Sequence, residues 1–227
     1  MNRRLVFLLG LLAFVAVAKA IQPGPFFSLS ADPEPFPKTY VATAPPAPDV
    51  YADQPKVRVL QLLSSMNVMW EQAFKAAGAE YRPPSIESRG QSSRGCGATV
   101  ETDWAGVYCS TGERIVIDME DHLVVRAAVG HDESDDLLGY VLAHEVGHHV
   151  QHERGLYSRE TQAATVRAEL HAECLSGVWG RAAGRRPPPA WSFTSDADHG
   201  TAEQQQSWFQ RGYSRGRPAD CDPIWDE

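Results

Sequence analysis

The segment His144-Glu145-Val146-Gly147-His148 sets two imidazoles four residues apart, with a carboxylate beside the first. On a helix of 3.6 residues per turn, positions i and i+4 project from nearly the same face. Two imidazoles placed in this way can meet one tetrahedral zinc ion, Zn2+. Glu145 falls roughly 100° further round the helix, where it can reach a water without taking a coordination position. Two ligands and one general base is the division of labour of H-E-x-x-H in metal-assisted hydrolysis. A site that only held metal would have no use for the base. Glu145 therefore favours an enzyme over the alternative, a zinc-stabilised extracellular binding module with little or no turnover. His149 departs from the His144 direction by roughly 140°, and His149 and His152 read as surface or second-layer residues.

Two protein ligands are too few for zinc, and the next apolar segment offers a third. It reads Glu169-Leu170-His171-Ala172-Glu173-Cys174. Glu169 and Glu173 share a helix face, and His171 points away from both. Glu169 is read as the third ligand and Glu173 as the carboxylate that orients His144 from behind. On the residues alone two other readings stay open: both glutamates are solvated charges, or His171 is the ligand.

These residues need helices to carry them. A helix starting near Ser134 and ending at about Arg154, stopped by Gly155, holds the first segment, with Leu142, Val146 and Val150 on its apolar side. A second helix starts between Ser158 and Thr161 and runs through Val166, Leu170, Cys174 and Val178, until Gly184 and Pro187-Pro188-Pro189 stop it. Upstream, Val59, Leu62, Leu63, Met66, Trp70, Ala73 and Phe74 recur at three- and four-residue steps from about Gln54 to Ala77, with Gly78 as the stop. Residues 85–120 are strand-like and turn-rich. Trp104–Cys109 and Arg114–Asp118 flank a Ser-Thr-Gly turn and predict a hairpin. Thr201-Ala202-Glu203-Gln204 matches a capping box and opens a short helix bearing Trp208, Phe209 and Tyr213.

The N-terminus has a different character. Arg3 and Arg4 precede an apolar run from Leu5 to Ala18, and Ala18-Lys19-Ala20 fits a cleavage pattern. Residues 1–20 are read as a signal peptide. A retained membrane anchor is the alternative, although the run is shorter than the roughly 20 residues of a bilayer span. Prolines 23, 25, 33, 35, 37, 45, 46 and 48 make residues 21–50 an extended linker. A folded domain over 51–227 follows. Export favours disulfides for Cys96, Cys109, Cys174 and Cys221. Three pairings are open; proximity favours Cys96–Cys109, which leaves Cys174–Cys221. A four-cysteine zinc site is disfavoured because no C-x-x-C pair is present. With 21 basic and 29 acidic side chains and a net charge of -8, the chain lacks the basic balance of a nucleic-acid binder.

HEVGHHVQ followed by ELHAECLSGVW resembles the bacterial neutral zinc metallopeptidase family, whose pattern is close to HE-x-GHHVQ and then ELQADC-x-AG-x-W. CGATVETDWAGVYCSTGERIVIDM and HGTAEQQQSWFQRGYSRGRPADCD resemble further segments of that family. The likeness covers roughly residues 55 to 225. It implies a zincin-like fold with one zinc, a peptide or protein substrate and a secreted or extracytoplasmic setting. It also supports Glu169 over His171 as the ligand. His199 lies in the matched His-Gly segment and is the candidate donor to the developing oxyanion; Tyr140, Tyr157 and Tyr213 are alternatives. The chain departs from the family at His171-Ala172-Glu173, where Gln-Ala-Asp is usual. The stretch between Trp179 and His199 is also shorter and rich in Arg and Pro. The expectation is an α+β, mainly helical domain with a small antiparallel hairpin or sheet and two disulfides.

Overall fold

A computed structural model describes residues 55–88, 96 and 105–226. The proposed signal peptide, the Pro-rich linker, Gln54 and the Trp104 start of the hairpin lie outside these residues. Helix α1 (Pro55–Ala76) buries the expected stripe: Leu62, Met66, Trp70 and Phe74 are each at most 2% exposed. It packs against the long helix α3 (His131–Glu153). The sheet has order β1-β3-β2. Strands β2 (Gly106–Cys109) and β3 (Arg114–Ile117) form the expected antiparallel hairpin. Strand β1 (Ser85–Ser88) adds to it in parallel, pairing Ile86 with Ile115, so the sheet is mixed rather than wholly antiparallel.

Helix α2 (Met119–Val129) was not expected. Its Leu123 and Val124 are exposed, so its sequence carries no clear amphipathic period. Helix α3 begins three residues before Ser134, with Asp132 and Glu133 in its first turn favourable to the helix dipole. It ends where expected, at Gly155 with φ 68°. Helix α4 (Gln162–Ala182) starts on Thr161, whose side chain accepts from the Ala164 amide. Helix α5 (Ala202–Arg215) opens on the Thr201/Gln204 capping box.

Helices α4 and α5 touch backbone to backbone. A Cβ at Gly212 would run into the Cys174 carbonyl, and one at Gly177 into the Phe209 carbonyl. The glycines allow this approach, which sets Phe209 into the core beside Tyr140 and Trp179. After α5 the chain makes two 3-10 turns, Pro218–Asp220 and Asp222–Asp226, along α4. The cysteines pair as Cys96–Cys109, at the end of β2, and Cys174–Cys221, tying α4 to the last turns. The fold is thus mainly helical with a small sheet. Among the described residues no helix is long and apolar enough to cross a membrane.

Candidate metal centre

Helices α3 and α4 cross where Gly147 faces Ala172. A Cβ at Gly147 would lie 3.1 Å from Ala172 Cα, so the glycine lets the two backbones close up. Beside this contact, His144 and Glu169, each three residues before it on its own helix, meet His148, the residue next to Gly147. Glu169 Oε2 lies 3.0 Å from His144 Nε2 and 2.9 Å from His148 Nε2. Tetrahedral zinc with bonds of about 2.0–2.1 Å needs ligand atoms about 3.3 Å apart. Two nitrogens and one oxygen, with the three ligand atoms all within 4.8 Å of one another, fit three corners of such an ion.

The next layer holds these groups in place. His144 Nδ1 is 3.2 Å from Glu173 Oε1. His148 Nδ1–H donates to Gln151 Oε1 at 3.2 Å. With the Nδ1 nitrogens occupied, both Nε2 atoms face Glu169 at the centre, where a bound metal would take the place of their protons. The second carboxylate oxygen, Glu169 Oε1, meets Arg159 Nη1 at 3.3 Å.

The electrostatics follow from burial and proximity. Burial pulls the His144 imidazole down, but Glu173 and Glu169 outweigh it and hold its pKa well above the usual value. Burial would raise Glu169, yet His148 and His144 keep it well below the usual carboxylate range. Glu145 is buried without comparable compensation, and desolvation raises its pKa.

Glu145 lines the same cleft, a cavity of about 590 Å³. Edge strand β2 forms one wall, with Gly106 close against Val141 and Glu145. Tyr108, Tyr140, Phe193 and Phe209 supply apolar lining. His199 enters from the loop before α5, and its Nε2 is 3.6 Å from Glu169 Oε2. Asp196 fixes that loop. Its Oδ1 accepts from the His199 and Asp198 amides at 2.7 and 2.8 Å, and its Oδ2 lies 2.8 Å from His199 Nδ1. Against the cost of burial, these bonds lower the Asp196 pKa. Tyr157 also faces the cleft, its ring 5.6 Å from that of His148. Tyr213 is directed elsewhere, its hydroxyl donating to the Arg185 carbonyl at 2.8 Å.

Three other histidines stand apart. His171 lies on the far side of α4, its Nε2 3.4 Å from Asp222 Oδ1, and burial pushes its pKa down to about 4. His149 is fully buried rather than at the surface. Its Nε2–H donates to the Arg82 carbonyl at 2.6 Å, and its Nδ1 accepts from the Tyr108 hydroxyl at 3.1 Å. His152 is partly exposed, 3.7 Å from Glu113. Arg159, Asp196 and Gln151 were missed by sequence reasoning. Only Gln151 carried a sequence signal, as the last residue of HEVGHHVQ.

The family model described as "Putative neutral zinc metallopeptidase" matches residues 8–190. The chain belongs to this family. Among its relatives, the uncharacterized protein YpfJ of Escherichia coli K12 is 32% identical over 206 residues, covering 72% of this chain and 69% of that protein. The uncharacterized protein Rv2575 of Mycobacterium tuberculosis H37Rv is 26% identical over 214 residues, covering 74% and 70%. No solved structure matches the chain. The His144–His148–Glu169 group of this metallopeptidase-family chain falls inside the matched region.

Proposed function

We propose that the chain is an exported zinc-dependent peptidase, with residues 51–227 as its catalytic domain. The observation that carries this reading is the convergence of His144 Nε2, His148 Nε2 and Glu169 Oε2 in a cleft that also holds Glu145. The two-imidazole, one-carboxylate donor set suits zinc and leaves a fourth position open. When bound, zinc supplies Lewis-acid polarisation of a carbonyl and lowers the pKa of water. Glu145 takes the proton of the attacking water and delivers it to the leaving amine. Desolvation raises its pKa, the direction that makes a carboxylate a stronger base. His199, oriented by Asp196, donates to the oxygen on which charge develops. The outer edge of β2 offers main-chain groups to an extended peptide lying in the cleft.

Export is supported by the charged and apolar start of the chain and by two cysteine pairs. The test is peptide-library hydrolysis by the native chain and by Glu145→Gln, with zinc measured in both. Cleavage lost in the variant while zinc is retained is the expected result. Cleavage that survives in zinc-loaded Glu145→Gln overturns the mechanism.

A further inference from the structure

Behind His148 runs a line of hydrogen bonds, buried except at its far end, that the proposed chemistry does not use. It leaves the centre through Gln151, crosses to His171 on α4 and ends at Asp222 in the last 3-10 turn. Asp222 lies beyond residues 8–190, the span that the family model matches.

Each bond fixes the direction of the next. For His148 to present an Nε2 lone pair, its proton must sit on Nδ1, and Gln151 Oε1 accepts it. The Gln151 amide then has Nε2 on its other side. Its two hydrogens go to the Ala168 carbonyl at 2.6 Å and to His171 Nδ1 at 3.1 Å. His171 accepts at Nδ1, so its proton is on Nε2, facing Asp222 Oδ1 at 3.4 Å. Arg154 grips Asp222 through Nη1 to Oδ1 at 2.8 Å and Nη2 to Oδ2 at 2.9 Å. Gln151 and His171 are each 0% exposed, so a reversed member would leave a buried donor facing a donor. Cys221, next to Asp222, is bonded to Cys174, one helical turn after His171.

We propose that Gln151, His171 and Asp222 are positioning residues that lock His148 in its metal-binding tautomer, with the Cys174–Cys221 bridge anchoring the far end of the line. The inference rests on the zinc reading of His144, His148 and Glu169. It gives the C-terminal turns a share in holding the metal. A line that merely glued α3 to α4 would affect folding and leave zinc retention per folded molecule unchanged.

The test loads the full chain, disulfides intact, with zinc and follows zinc release to a chromogenic chelator. Gln151→Met keeps the volume and removes both polar ends. It is expected to release zinc about tenfold to a hundredfold faster, the usual effect of losing a group that orients a ligand. Gln151→Glu restores an acceptor for His148 Nδ1–H but removes the donor to His171 Nδ1, and is expected to recover part of the retention. Nitrogen chemical shifts of His148 should show the Nδ1–H tautomer in native chain and in Gln151→Glu, and a mixture in Gln151→Met. The paired Cys174→Ser, Cys221→Ser variant should also release zinc faster than native, whereas Cys96→Ser, Cys109→Ser should not. Native-like release from Gln151→Met overturns the line and leaves the zinc reading standing. Native-like release from the Cys174/Cys221 variant overturns the anchoring role. A native chain that takes up no zinc overturns both readings together.

Discussion

His148 and His149 are neighbours on one helix, yet they belong to different regions of the molecule. His148 faces the cleft, with Nδ1 held by Gln151 and Nε2 against Glu169. His149 faces the core, where both ring nitrogens are engaged by Arg82 and Tyr108 and the ring lies between Tyr81 and Tyr108. Burial lowers the His149 pKa. Residue type does not set the role of a histidine; the partner of its second nitrogen does. A carboxylate or amide behind the ring frees the other nitrogen for a metal. Two fixed partners leave nothing to offer, and the imidazole becomes a buried polar tie between α3, β2 and the loop after α1.

Substitutions on the two faces should separate chemistry from stability. The largest effect is expected for Glu145→Gln on the cleft face: kcat/KM for peptide hydrolysis falls about 10²–10⁴-fold while zinc content stays at the native level. Steady-state kinetics beside elemental analysis check it. His199→Gln should lower kcat by about 10²-fold with little change in zinc affinity, the size expected for one oxyanion donor. On the core face, His149→Ala leaves the Arg82 carbonyl and Tyr108 hydroxyl unpaired around a small cavity. A loss of about 2–4 kcal/mol is expected by urea denaturation, with one zinc still bound. Glu173→Gln should weaken zinc by about tenfold, because it alters the partner of His144 Nδ1 without removing a ligand.

The smallest and most graded effect is the response to pH. Against the pull of burial, Glu173 and Glu169 raise the His144 pKa above its unfolded value. In zinc-free protein this stabilises the fold fully below the ordinary imidazole pKa. The contribution is lost as pH rises through the raised one. Glu169 has a depressed pKa, so its contribution is present above the ordinary carboxylate pKa and is lost as pH falls through the lowered one. Zinc binding has the opposite sign to the His144 term, since the metal must displace the proton, and affinity rises with pH. Thermal melts with and without zinc across neutral to alkaline pH should therefore diverge.

Much of this was readable from local sequence. Spacing set His144, Glu145 and His148 on one side of α3, and the i, i+4 pair Glu169 and Glu173 on the facing side of α4. Caps and glycines marked the ends of α3, α4 and α5. What the sequence hid was tertiary. Asp196 is recognisable only once its loop wraps His199, and Arg159 only once it lies on Glu169. Gln151 and Asp222 are 71 residues apart in numbering and join only through His171. His149 did carry a signal: it falls three residues after Val146, on the apolar side of α3, and its polarity masked that position. Parallel pairing of β1 depends on a long-range return of the chain that no local pattern encodes.

On the proposed reading, one face of α3, completed by Glu169, holds a single zinc ion. Elemental analysis of purified chain with its disulfides formed tests it most directly, run on native protein, His148→Ala and His149→Ala. One zinc per chain is expected in the native protein and in His149→Ala, with little or none in His148→Ala. Absence of zinc from the metal-loaded native chain, or equal zinc in His148→Ala, would mean that this face of α3 is not a zinc site.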